Sequence, residues 1–133
     1  GRLSRFVLVH SRHFVAVCER CGRAAAEFAL LPASAEGKSL FHDRDRLERT
    51  DFMGTVTKFG DGEELAALFD MVCRGDYGAA RGADADFVAY HCWECGKNYC
   101  QACWSVGPPV FDEGFYDYTL GTCPAGHEQM VDD

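Results

Sequence analysis

The stretch His91-Cys92-Trp93-Glu94-Cys95-Gly96-Lys97-Asn98-Tyr99-Cys100-Gln101-Ala102-Cys103 decides how this 133-residue chain is read. It holds two C-x2-C pairs, Cys92/Cys95 and Cys100/Cys103. A third C-x2-C pair, Cys18/Cys21, lies upstream, and a C-x3-H pair, Cys123/His127, lies downstream. Two residues between cysteines let a tight turn aim both sulfurs at one ion. Gly22 follows Cys18/Cys21 and Gly96 follows Cys92/Cys95, where such a turn needs positive φ. Four pairs supply eight ligands, enough for two tetrahedral Zn²⁺ shells. Four disulfides are the competing reading, but repeated C-x2-C closed by C-x3-H fits zinc better. The expected ligands are therefore Cys18, Cys21, Cys92, Cys95, Cys100, Cys103, Cys123 and His127.

Working outward, Phe6–Val9 and His13–Val17 read as strands of a hairpin, and Glu27–Leu31 as a strand stopped by Pro32. Residues 33–51 carry the charge run His42-Asp43-Arg44-Asp45-Arg46 and read as an exposed loop or short helix. Phe52–Phe59 has strand character up to Gly60-Asp61-Gly62. Asp61 and Glu64 resemble a capping box. Leu65, Leu68, Phe69, Val72 and Cys73 share one helical face, with Gly75 as the stop. Residues 78–86 read as a loop, and Phe87–Tyr90 and Phe115–Leu120 as strands leading into ligand pairs. The expected fold class is α+β: one small two-zinc finger, residues 1–133, with a strand-helix insert at 24–88.

Composition narrows the function. No run of 18 apolar residues occurs, so no spanning helix is expected, and Phe6–Val9 is too short for a signal-peptide core. Reduced, metal-bound cysteines point to the cytoplasm. Ten Arg against three Lys, with one Asn and no Ile, fits a GC-rich coding sequence and a bacterial source. Residues 1–50 carry nine Lys/Arg and six Asp/Glu, and residues 51–133 carry four and fifteen. The formal charge of −8 argues against general nucleic-acid binding. The early arginines (Arg2, Arg5, Arg12, Arg20, Arg23) most simply neutralise the acidic half, with contact to an anionic partner as the alternative.

Two closed shells leave no open coordination position of the kind catalytic zinc needs. No nucleophile elbow, P-loop, dinucleotide fingerprint or H-E-x-x-H motif is present. Cys73, on an apolar helix face, reads as core. His10, His13 and His42 read as surface groups, and His91, beside Cys92, as a competing ligand at most. Trp93 and Trp104 read as caps of the zinc-centred cores. Trp93, Trp104 and the loop Pro108-Pro109-Val110-Phe111 form the expected contact surface, apolar residues beside rigid zinc knuckles that would anchor a partner.

The segment 91–103 resembles the centre of a FYVE-type finger, which shows H-C-x2-C-G-x3-C-x2-C here. The order of four pairs resembles the wider RING/FYVE group of two-zinc treble-clef fingers. That resemblance implies a cross-brace: Cys18, Cys21, Cys100 and Cys103 on one zinc, Cys92, Cys95, Cys123 and His127 on the other. The same spacing also resembles the in-between-RING finger, where ligands are used sequentially and Cys18, Cys21, Cys92 and Cys95 would share an ion. The resemblance covers about a third of the chain. Departures from it include the seventy residues between Cys21 and Cys92, the missing basic cluster of lipid-binding FYVE fingers, and His127 as the last ligand. The function expected is a protein-protein adaptor. A RING-like module recruiting a ubiquitin-conjugating enzyme is the first alternative, and a nucleic-acid-binding finger the second.

Overall fold

The computed structural model describes residues 8–38 and 43–133. Strands β1 (Arg12–Val17), β2 (Ala24–Leu31), β3 (Arg46–Asp51) and β4 (Gly54–Phe59) form an antiparallel meander in that order. Helices α1 (Gly62–Cys73) and α2 (Tyr77–Asp84) and a 3-10 turn (Ala85–Val88) follow. Next come β5 (His91–Cys92) and β6 (Lys97–Asn98), a minimal hairpin. In the last sheet, β9 (Phe115–Thr122) pairs with β10 (Glu128–Asp132) on one side, and with β7 (Ser105–Val106) and β8 (Val110–Asp112).

Register sorts the side chains of the meander. Phe14 faces Phe28, Leu30 faces Leu47 and Phe28 faces Arg49, so these share one face. Helix α1 packs there with Leu65, Leu68, Phe69 and Val72 buried, each side chain contributing on the order of 1.5–3 kcal/mol. Its start is fixed by Asp61, whose carboxylate accepts the Glu63 N–H at 2.8 Å. Its end is turned by Gly75 at φ 74°. Phe87 and Tyr90 meet Phe28 edge-on or tilted, at 5.8 and 5.9 Å between centroids.

Four expectations need correction. The charged stretch expected to be an exposed loop contains β3, a buried central strand in which Arg46, Leu47, Glu48 and Arg49 are all inside. Burial is tolerated because the charges pair at i, i+2 on one face: Arg46 with Glu48 at 3.4 Å and Arg49 with Asp51 at 3.3 Å. Arg46 also donates to the carbonyls of Pro32 and Ala35, and Glu48 accepts the Lys38 N–H, so residues 32–38 are strapped over the outer face.

The Gly/Ala-rich stretch expected to be a loop is α2. Packing overrides its weak propensity. Asp76 caps the Ala79 N–H, Ala80 is sealed, and Tyr77 stacks on His91 at 4.1 Å and shares a hydroxyl hydrogen bond with Tyr90. Phe87–Tyr90 is not a strand but the end of the 3-10 turn and the bend after it. Its four consecutive buried side chains carry no strand period. Of the expected Phe6–Val9 strand, Leu8 and Val9 are not in a strand. Phe6, Arg2, Arg5 and His42 lie outside the described residues.

Candidate metal centre

Three hairpin turns and one loop carry the ligands. Cys18 and Cys21 occupy the β1–β2 turn, Cys92 and Cys95 the β5–β6 turn, and Cys123 and His127 the β9–β10 turn. Cys100 and Cys103 follow β6. Each turn closes on a backbone bond to a glycine of positive φ. Gly22 N–H reaches Cys18 O at 2.9 Å, Gly96 N–H reaches Cys92 O at 2.8 Å, and Gly126 N–H reaches Cys123 O at 2.9 Å. At Gly22 and Gly96 a Cβ would meet nothing within 4 Å, so the conformation, not crowding, selects glycine.

The turns bring eight donors into two groups. Cys18, Cys21, Cys100 and Cys103 form one, and Cys92, Cys95, Cys123 and His127 the other, each with its ligand atoms within 4.8 Å of one another. The first chain pair thus meets the third, and the second meets the fourth. The sequential pairing is not the one formed. Sulfurs stand 3.8 Å apart in Cys18–Cys103, Cys100–Cys103 and Cys95–Cys123, and 3.3 Å apart in Cys21–Cys100. An S–S bond of about 2.05 Å is excluded at these separations. A tetrahedron with metal–sulfur bonds of about 2.3 Å has edges of about 3.8 Å. His127 turns Nδ1 to its sulfurs, at 3.9 Å from Cys92, 3.2 Å from Cys95 and 3.4 Å from Cys123.

Electrostatics explains why such groups take a cation. Cys18 is disfavoured as thiolate by burial, yet backbone amides of Arg20, Cys21 and Cys100 outweigh this and bring it to about 6. Cys123 is likewise opposed by burial and drawn to about 7 by the His127 and Ala125 amides. Cys92 and Cys103 are pushed to about 11, by burial and by the neighbouring sulfurs. Clustered thiolates cannot all ionise beside one another without a compensating charge, and a divalent ion supplies it.

Supporting residues hold the knuckles in place. Asn98 links the first group to the hairpin: its carbonyl accepts the Glu19 N–H, and its own N–H donates to the Glu19 carboxylate. Gln129, on β10, does the same for the second group. Its amide donates to the carbonyls of Ala89 and His91 at 3.2 and 2.8 Å, and its oxygen accepts the Trp93 N–H at 3.1 Å. Sequence reading missed Gln129; a lone glutamine outside any ligand spacing gives no signal. Gln129→Leu is expected to cost about 2–3 kcal/mol in denaturant unfolding, since three bonds of roughly 1 kcal/mol vanish and buried carbonyls stay unpaired. It is also expected to weaken metal retention by the second group about tenfold, read by competition with a chromogenic chelator.

His91 is not a ligand: it is buried between Tyr77 and Trp93, with Nδ1 2.8 Å from Asn98 Oδ1. Trp104 is not a surface anchor. It is buried, stacks on Phe52 at 5.1 Å, and donates Nε1–H to Tyr90 O. Trp93 is half-buried under the Arg81 guanidinium at 4.6 Å. Phe111 is exposed. Cys73 is half-buried against the core, its thiol pushed up by burial. Arg12 pairs with Asp70 at 3.2 Å, a basic residue neutralising the acidic helix. His10 is exposed, and His13 lines a groove of about 220 Å³ on the outer face of the meander. Among the described residues no helix is long and apolar enough to cross a membrane.

The family model described as "Domain of unknown function (DUF8328)" matches residues 9–133. The chain belongs to this family. No curated protein and no solved structure matches it. The matched span takes in all eight ligands, so the two Cys/His groups belong to the family domain and not to a flank.

Proposed function

We propose that this DUF8328 domain is a zinc-stabilised protein-interaction module, an adaptor without catalytic chemistry of its own. The observation that carries it is the pair of complete four-donor groups, one of four cysteines and the other of three cysteines and a histidine. Sulfur-rich tetrahedral sets are the chemistry of structural Zn²⁺, and neither set leaves a position for water. When bound, the two ions supply rigidity and folding energy. The chain's residues do the rest: the knuckles fix β5–β6 and the root of the last sheet, and the β8–β9 ribbon carrying Phe111 stands out as the contact surface. Thiolate ligands belong in a reducing compartment, so we place the protein in the cytoplasm.

The test has two parts. Native mass spectrometry is expected to give two zinc ions per chain. A photo-crosslinking residue at Phe115 is expected to give a discrete adduct in cells, while the same residue at Val56 gives none. Loss of the adduct at Phe115 would remove the interaction reading, and a single ion per chain would remove the two-site reading. A second reading is favoured by the crossed pairing of ligand pairs, which the RING-like resemblance implies: a module that recruits a ubiquitin-conjugating enzyme. Discharge of a charged conjugating enzyme on addition of the domain separates this reading from the first.

A further inference from the structure

The β8–β9 ribbon is unusual in what it exposes and in what surrounds it. Phe115 is 77% exposed and Phe111 61%, with Tyr116 also exposed, and Met130 is exposed on the adjoining strand β10. Large apolar side chains gathered on one rigid element mark a contact site. The ribbon closes in a two-residue hairpin turn, Glu113 and Gly114 both taking the positive φ it requires. A register shift between Val110 and Phe111 sets Val110 opposite Tyr118 and Phe111 opposite Tyr116. Asp117 is the extra residue of β9 there. Phe111 and Tyr116 share one face, their rings meeting edge-on at 6.1 Å, and Phe115, opposite Asp112, lies on the other face.

Charge around these rings has one sign. Asp112, Glu113 and Asp117 are exposed on the ribbon, and Glu128 lies on the adjoining strand. After Lys97 the sequence contains no Lys or Arg, against six Asp/Glu. Strand β10 pairs with β9 over Thr119–Thr122, and β8 pairs with it over Phe115–Tyr118.

We propose that this ribbon binds an extended, Lys/Arg-rich segment of a partner protein. The inference rests on the interaction-module reading and names the partner's chemistry. The aromatic faces of Phe111, Phe115 and Tyr116 receive guanidinium or ammonium groups. The flanking carboxylates pair with them. An acidic or purely apolar partner would leave the carboxylates uncompensated.

The test uses the zinc-loaded chain and two short fluorescein-labelled peptides, one alternating arginine with threonine and one alternating glutamate with threonine. Fluorescence anisotropy is expected to show binding of the arginine peptide only. Phe111→Ser/Phe115→Ser is expected to weaken it about tenfold or more with an unchanged thermal midpoint. Asp112→Asn/Asp117→Asn is expected to flatten its dependence on salt. Glu63→Gln/Glu64→Gln, on helix α1, is expected to leave binding unchanged. The proposal is overturned if the α1 variant weakens binding as much as the ribbon variants, if the ribbon variants bind normally, or if the arginine peptide does not bind. A discrete crosslink at Phe115 with no arginine-peptide binding would retain the interaction module and discard the basic partner. Absence of both would discard the two together.

Discussion

Stripping metal from the protein is expected to unfold its C-terminal half. Strands β5, β6 and β7 are two residues each, and pairs this short do not persist in water unaided. What joins them is the two donor groups, which tie the β1–β2 turn to residues 100–103 and the β5–β6 turn to the β9–β10 turn. Structural zinc sites are worth on the order of 10 kcal/mol each in small fingers, against a total stability of about 5–15 kcal/mol for a domain. Neither site is dispensable on those magnitudes. A strong chelator is expected to abolish the near-ultraviolet circular dichroism of Trp104, which needs its stacking on Phe52 and its bond to Tyr90. Zinc is expected to restore the signal and magnesium is not. Cys92→Ser should behave as the chelated protein does, while Cys73→Ser, outside both groups, should cost about 1 kcal/mol or less. A chelated protein that keeps its near-ultraviolet spectrum would show that packing alone holds the fold.

The donor groups were legible in the sequence because their information is local. Two residues between cysteines and a glycine after them specify a turn, and a turn aims its sulfurs wherever it lies. Helix α1 was legible for a similar reason: Leu65, Leu68, Phe69 and Val72 write its period in one continuous stretch. Which pairs share an ion was open from spacing alone, since it depends on how residues 24–88 return the chain. The grouping of donors brings Cys18 and Cys21 to Cys100 and Cys103, and the bonds of Glu19 with Asn98 hold that approach across 79 positions. Helix α2 was missed because its stability lies in Tyr77 meeting Tyr90 and His91, not in its own residues. Trp104 was open between core cap and surface anchor because its burial depends on Phe52 and Tyr99, and ring packing of that kind leaves no mark in sequence spacing. Strand β3 was missed because charge was equated with solvent. The signal was present: Arg-x-Glu and Arg-x-Asp place opposite charges at i, i+2, neighbours on one face of a strand and on opposite sides of a helix.

That strand makes the sharpest test of how the core is held. Arg49 lies sealed beneath Phe87, its guanidinium carbon 5.5 Å from the ring centroid. It donates to Asp86 O at 3.0 Å and Gly54 O at 3.3 Å, and its Nη1 stands 3.3 Å from Asp51 Oδ2. Burial lowers the Arg49 pKa and raises that of Asp51, each opposed by the attraction of the other. Arg49→Met removes one partner and leaves a buried carboxylate uncompensated, with an expected loss of about 3–5 kcal/mol in denaturant unfolding. With the guanidinium gone, Asp51 is held further above its unfolded value of about 4. The protonated acid is then the better-tolerated folded form, so the deficit relative to wild type is expected to shrink as pH falls from neutral. The double variant Arg49→Met/Asp51→Leu should behave oppositely. Arg49 Nε and Asp51 Oδ2 have no hydrogen-bond partner, so the pair is incompletely satisfied. An apolar replacement of similar volume is expected to match wild type or exceed it by about 1–4 kcal/mol, with no such pH dependence. If the double variant is as unstable as Arg49→Met, the carbonyls of Asp86 and Gly54, and not the carboxylate, are what Arg49 is there to satisfy.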